Sequence, residues 1–284
     1  MDTAIFLGLA LMALATFIEE ASTSAGRTEI DKAQEFPLEM GFLNAAAATG
    51  VYLLIVAWLR QPWMLTVSDL PLFALRGALD VALGFCAIFA VAKADRGTFA
   101  LLRLLTIPAA LAFGLLIGIP ISPMAAAAAI VIMLALWLLG ARHDVKWAGA
   151  GWAVTTSILA GLSVVLFQRQ LTQSAAPATM QLWIVALDAV VWGTAARIKD
   201  GRWPIAPLRH PLGWLHAGAM GIGSGIEFAA FSLAPGALLI ASKRGLAMGW
   251  ALASGQKLFH ETGMRAKWIA AAGGLAAIIL ATRG

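Results

Sequence analysis

The amino-acid sequence predicts an all-α integral membrane protein of about ten transmembrane helices, arranged as two inverted five-helix repeats. Three observations lead there. The chain of 284 residues is 61% hydrophobic and only 12% charged, against roughly 25% charged in an average soluble domain, so it has too few polar side chains to cover a surface facing water. Uncharged runs of bilayer length recur along it. A faint internal repeat, with an offset near 140 residues, relates its halves.

A helix crossing the hydrocarbon core needs about 20 mostly apolar residues. Residues 40–59 and 147–168 carry no charge, and 104–141 is also uncharged but too long for one crossing. Pro120 and Pro123 lie near its middle. Proline fixes its own φ and restricts the residue before it, so residues 119–124 are predicted as a turn. The same reasoning gives crossings at 3–24, 71–93, 97–118, 123–141, 177–196, 212–232, 236–257 and 264–282. The first segment has no basic lead and no small-residue cleavage pattern, and it reads as a retained helix. Cys86 has no second cysteine to pair with. No basic stripe is interleaved with aromatics, so nucleic acid is not a predicted partner. The expected partners are the lipid bilayer and a small molecule, with no cofactor and no metal, in a monomer or homodimer.

The repeat sets Pro37-Leu38-Glu39-Met40 opposite Pro177-Ala178-Thr179-Met180, and Phe89–Ala94 opposite Ala229–Ala234. It defines units 1–141 and 147–284 of one integrated transmembrane domain, joined by Arg142–Lys146. Five crossings per unit is an odd number, so the second unit is inverted relative to the first. Bundles of this kind hold their site near the midplane where the units meet. Of twenty Lys and Arg, thirteen fall in loops after odd-numbered crossings and four towards the other side. The positive-inside rule then makes the odd loops cytoplasmic and both termini external.

Charges at membrane depth cost several kcal/mol each and call for a reason. The candidates are Glu19, Glu20, Asp80, Arg103, Asp188, Glu227 and the pair Lys243-Arg244, with Arg103 opposite Lys243 at the 140-residue offset. Two readings stand. Either Arg103, Lys243 and Arg244 face a central cavity and meet an anionic group, or they pair with Asp80 and Glu227 and hold helices together. Five acids against three bases leaves carboxylates without partners, and burial raises an acid's pKa. Proton coupling through Glu19, Glu20 or Glu227 is therefore an expectation, with Asp80 a further candidate for a cation site. Alternatively, Glu19-Glu20 open a polar loop that continues to Arg27. Asp188 either lines the cavity or sits at a helix bend. Trp250, seven residues after Lys243 and roughly on its face, either stacks on a ligand or seals the cavity. Trp58, Trp63, Trp147, Trp203 and Trp268, near the ends of crossings, read as interface anchors. His216 has no second ligand at helical spacing and reads as a hydrogen-bonded structural histidine.

The segment from Ala241 through Lys243-Arg244-Gly245 to Phe259-His260-Glu261, followed by Arg265 and Gly273-Gly274, resembles the ninth and tenth helices of the drug/metabolite transporter superfamily. More narrowly it resembles the bacterial EamA-type branch, and Leu233-Ala234-Pro235 fits the same pattern. The resemblance implies a 5+5 inverted-repeat bundle in a bacterial inner membrane, with a central cavity and alternating access. In similar organophosphate transporters a Lys-Arg pair on this helix contacts phosphate, and Lys243-Arg244 match that pair. Glu261 matches a family glutamate and, four residues before Arg265, reads as structural. The sequence departs from the family at Glu19-Glu20-Ala-Ser-Thr-Ser, where relatives are mostly apolar, and at Ile117-Gly118-Ile119-Pro120, which has no acid. Many members have cytoplasmic termini, opposite to the charge count. The expected function is thus a secondary transporter, not an enzyme, moving a small polar or amphipathic metabolite with an anionic group. One alternative is proton-coupled efflux of cationic compounds using Glu19 and Glu20, with tryptophans as a cation–π cage. A membrane enzyme on lipid-linked substrates is disfavoured, because His143, His210, His216 and His260 fall in separate segments.

Overall fold

The computed structural model describes residues 3–33, 37–119, 121–140, 147–201, 203–234 and 236–281. The linker Arg142–Lys146, Pro120 and Pro235 lie outside the described residues, as do His143 and Asp144. The described chain is helical: α1 (Thr3–Ala33), α2 (Pro37–Leu59), α3 (Leu70–Lys93), α4 (Arg96–Leu102), α5 (Thr106–Leu116), α6 (Pro123–Gly140), α7 (Ala150–Gln173), α8 (Pro177–Asp200), α9 (Pro211–Phe231), α10 (Gly236–Lys257) and α11 (Met264–Ala281). Among the described residues seven helical stretches are long and apolar enough to cross a membrane, the first being Thr3–Gly26 and the last Pro177–Lys199. The chain is therefore an α-helical membrane protein. After these come α9, α10 and α11, of 21, 22 and 18 residues.

Two local features depart from the expected crossings. Helix α1 does not end at the Glu19-Glu20 pair but continues to Ala33, so those carboxylates stay on a helix and the polar-loop alternative does not hold. The expected crossing at 97–118 is broken: a 3₁₀ turn at Arg103–Leu105 separates α4 from α5. Pro108 supplies the cause. It has no N–H for the carbonyl of Leu104, and its ring crowds that carbonyl, which disrupts the helix one turn earlier. The turn lies at Arg103 itself. Between α5 and α6 the chain reverses as expected, with Gly118 at φ +86° and the Ser122 hydroxyl accepting the Ala125 N–H at 3.1 Å.

The two halves interleave. α1 packs on α9 and α10, α2 on α8 and α9, α3 on α7 and α8, α5 on α7, α4 on α10, and α6 on α11. Gly8 meets Ala234 while Gly26 meets His216, so α1 and α9 run antiparallel. Small residues permit this approach, as van der Waals fit takes over between helices where lipid replaces water. A Cβ on Gly161 would lie 2.6 Å from the Ala109 Cβ and 2.7 Å from the Ala110 nitrogen of α5, whereas Gly50 and Gly140 have nothing within 4 Å. Gly161→Leu should therefore destabilise the protein by about 1–3 kcal/mol and Gly50→Leu should be silent, as thermal unfolding in detergent would show.

Candidate ligand cavity

A cavity of about 200 Å³ lies among α2, α3, α7, α8, α9, α10 and the 3₁₀ turn after α4. Arg103 reaches it because the Pro108 break ends α4 there, and Lys243 and Arg244 reach it from the third turn of α10. Arg76 comes from α3, Glu227 from α9, and Phe167, Phe228 and Phe231 form an aromatic wall with Tyr52. Phe167 meets Phe231 edge-on at 5.1 Å, and Tyr52 meets Phe228 likewise at 5.6 Å.

The cations divide into two kinds. Lys243 Nζ lies 2.8 Å from a Glu19 oxygen and 2.6 Å from a Glu227 oxygen, so its charge is answered twice, from α1 and α9. Arg76 pairs with Asp80 at 3.0 Å, donates to Gln181 at 3.3 Å and to Gln170, and covers the Phe167 ring at 5.0 Å. Ser163 of α7 donates to the other Asp80 oxygen at 2.9 Å. Arg103 and Arg244 differ: among the described residues neither has a carboxylate within ion-pair distance, and Arg103 lies over the Phe99 ring at 5.5 Å. Two guanidinium groups, planar forks suited to an oxyanion, thus face one hollow with no carboxylate in direct contact among the described residues, Glu227 of the same lining being held by Lys243.

Beyond Arg103 and Arg244, towards the far ends of α1 and α10, the bundle closes. A void of about 10 Å³ is bounded there by Glu20, Arg96, Arg103 and Arg244, at the lower limit for holding one water. Arg96 pairs with Glu20 at 2.5 Å. Next to it, the fully buried Lys267 of α11 pairs with Asp95 at 3.2 Å and Glu261 at 2.9 Å. Glu261 also accepts the Gly97 N–H at 3.0 Å, satisfying an orphan donor of the first turn of α4 with an anion. Glu261 is structural as expected, with Lys267 rather than Arg265 as its recorded partner.

The predicted residues separate accordingly. Arg103, Glu227, Lys243 and Arg244 line the cavity, and Glu19 touches it through Lys243. Glu20 belongs to the closed end, and Asp80 stands behind Arg76. Asp188 takes part in no ion pair among the described residues, and its buried Oδ1 has no hydrogen-bond partner; it lies seven residues after Gln181, on the same face of α8. Trp250 is 47% exposed, packs on Phe17 at 4.9 Å and lines a separate groove with Glu20 and Leu258. His216 is hydrogen-bonded, with Nδ1 2.9 Å from the Ser22 carbonyl.

Sequence reasoning missed Arg76, Arg96 and Lys267 by assigning them to loops; they are 3%, 3% and 0% exposed. Removing them from the charge count leaves eleven against three, so its direction stands. Arg76 and Arg96 supply partners for Asp80 and Glu20, whereas Asp188 has no ion-pair partner among the described residues.

No family model and no curated protein matches the chain. Fifteen chains of solved structures match. One of them, described only as "Crystal structure of protein", superposes with a TM-score of 0.65 at 20% identity, covering 99% of this chain and 96% of its own. A likeness at that identity shows a shared fold and nothing of function.

Lys267→Met should leave Asp95 and Glu261 buried without their cation and destabilise the protein by about 3–5 kcal/mol. Chemical or thermal unfolding in detergent measures it; a shift under about 1 kcal/mol would mean that water already solvates the pair.

Proposed function

We propose that this protein is a secondary transporter of the drug/metabolite type, which carries a small amphipathic anion by alternating access across a bacterial inner membrane. The observation that carries this reading is the pair Arg103 and Arg244, aimed into one cavity with no carboxylate within ion-pair distance of either among the described residues. Such charges at membrane depth are expensive unless something answers them; a substrate oxyanion does so while it is bound. The aromatic wall of Phe167, Phe228 and Phe231 suits an apolar body. A volume of about 200 Å³ falls below the ≈ 300–1,000 Å³ of drug-sized sites, which favours a metabolite.

The ten-crossing inverted repeat belongs to this proposal. Exchanging the five helical crossings of one half for those of the other turns the α1–α9 contact into α7–α3, α1–α10 into α7–α5, and α2–α9 into α8–α3, and each of these contacts exists. The α2–α8, α4–α10 and α6–α11 contacts map onto themselves. Arg103 and Lys243 exchange as well. Such a bundle moves its site between two faces by rocking one repeat against the other. The positive-inside rule places the closed end, with Arg96 and Lys267, on the cytoplasmic side and both termini outside.

The same geometry weighs against cation efflux. Glu19 is held by Lys243 and Glu20 by Arg96, and Trp250 stands outside the cavity, so among the described residues neither of these carboxylates is free and no tryptophan cage is assembled there.

The test is a screen of small carboxylates, phosphates and organic cations by thermal shift on purified protein. Arg103→Gln and Arg244→Gln should each weaken a hit by roughly ten- to a hundredfold, the range for a hydrogen bond to a charged group. Lys243→Ala should lower stability first, because it strands Glu19 and Glu227. Hits that bind unchanged to both arginine variants would sink the proposal, and hits confined to cations and lost with Glu19→Gln would establish the efflux reading.

A further inference from the structure

The charge enclosed around the cavity can be counted. Four bases reach its lining, Arg76, Arg103, Lys243 and Arg244, together with one acid, Glu227. Two further acids pair directly with these bases from outside the lining: Asp80 with Arg76, and Glu19 with Lys243. Among the described residues this sets four bases against three acids, one positive charge in excess. The surroundings leave that excess in place. Glu20 and Arg96, which bound the small void beyond Arg103, pair with each other and cancel. Asp188 does not line the cavity, and the charges that act on it are those of Asp80 and Arg76, whereas the acids acting on Arg103 and Arg244 are Glu19, Glu20 and Glu227. From α2 the lining holds Tyr52, whose hydroxyl donates to the Ser224 carbonyl at 3.2 Å, and α7 and α8 supply only uncharged side chains. A net charge enclosed at membrane depth is costly whatever its sign. One negative charge erases this excess, and two reverse it.

We propose that the cavity selects its substrate by valence: it takes a head bearing a single negative charge, met by Arg103 and Arg244, and admits a dianion only together with one proton. The inference rests on the anion-carrier reading and narrows its substrate class to monoanions, such as carboxylates, sulfate esters and phosphodiesters. The proton that accompanies a dianion has a place in the protein as well as on the substrate. Lys243 Nζ stands 2.8 Å from Glu19 and 2.6 Å from Glu227, one ammonium for two carboxylates. Either acid can take a proton while the other keeps the ion pair.

Phenyl sulfate and phenyl phosphate separate charge from shape. The two esters are nearly isosteric, but a phosphate monoester loses its second proton near about pH 6 while the sulfate stays a monoanion. Their affinities for purified protein in nanodiscs, measured by titration calorimetry between about pH 5 and 8, test the proposal. Phenyl sulfate should bind equally well throughout. Phenyl phosphate should weaken by about tenfold per pH unit above its second pKa, the slope of one proton taken up on binding. Glu227→Gln keeps an oxygen for Lys243 and removes one acid, which raises the excess to two charges. Phenyl phosphate should then lose its slope and, at the alkaline end, bind at least about tenfold better than to wild type. Glu19→Gln makes the same change from α1, outside the lining, should the first variant fold poorly. A phenyl phosphate affinity that does not fall with pH in wild type would overturn the proposal. So would a fall that phenyl sulfate shares, or one that persists in both glutamine variants. Phenyl sulfate binding that is absent, or unchanged in both Arg103→Gln and Arg244→Gln, would instead overturn the anion site itself.

Discussion

A charge inside this bundle has no water to fall back on, and that constraint organises the molecule. Lys243 is held by carboxylates from two other helices, Arg76 by Asp80 and by amides of α7 and α8, and Lys267 by acids from α4's approach and the α10–α11 loop. Breaking such a pair strands its partner, which is why each one fixes the register of the helices it joins. Two of these ion pairs, Lys243–Glu19 and Lys267–Asp95, join the two halves of the chain, so the polar interior helps to hold the interleaved topology together. Against that background Arg103 and Arg244 stand apart: among the described residues neither has a carboxylate within ion-pair distance, although Glu227 lines the same cavity and Glu20 the small void beyond it.

Much of the helical layout was legible because bilayer thickness sets a length that an apolar run either meets or does not. The crossings read at 71–93, 177–196, 212–232 and 236–257 lie within a few residues of α3, α8, α9 and α10. The length rule could not see the break at Arg103–Leu105, since composition is unchanged through it; Pro108 was the local signal. Nor could it see that α1 continues beyond its apolar stretch, because helix propensity at Ala21–Ala33 does not depend on hydropathy.

The cavity was legible in its cations and not in its connections. Arg103 and Lys243-Arg244 stand in otherwise apolar runs, where a charge draws notice. Arg76, Arg96 and Lys267 lie close to the ends of such runs, where basic residues ordinarily mark the interface. Arg76 was recoverable from Asp80 four residues on, an ion-pair spacing on a helix. Arg96 and Lys267 were not, because Glu20 and Asp95 are distant in sequence and Glu261 lies in the loop before α11, where no helical spacing applies. Trp250 shows the converse error: a shared face with Lys243 was correctly read, but seven residues is about 10 Å along the axis, enough to carry the indole out of the cavity.

Asp95 and Arg96 are consecutive residues of opposite sign, one tied to α11 through Lys267 and the other to α1 through Glu20. A single peptide unit therefore joins two helices that make no comparable ion pair with each other among the described residues. Any displacement of the start of α4 large enough to break either tie strains its neighbour, and the Gly97–Glu261 hydrogen bond beside them adds a third. Three tethers on adjacent residues thus bind the start of α4 to α1, to α11 and to the α10–α11 loop at once, so that the loss of one loads the other two.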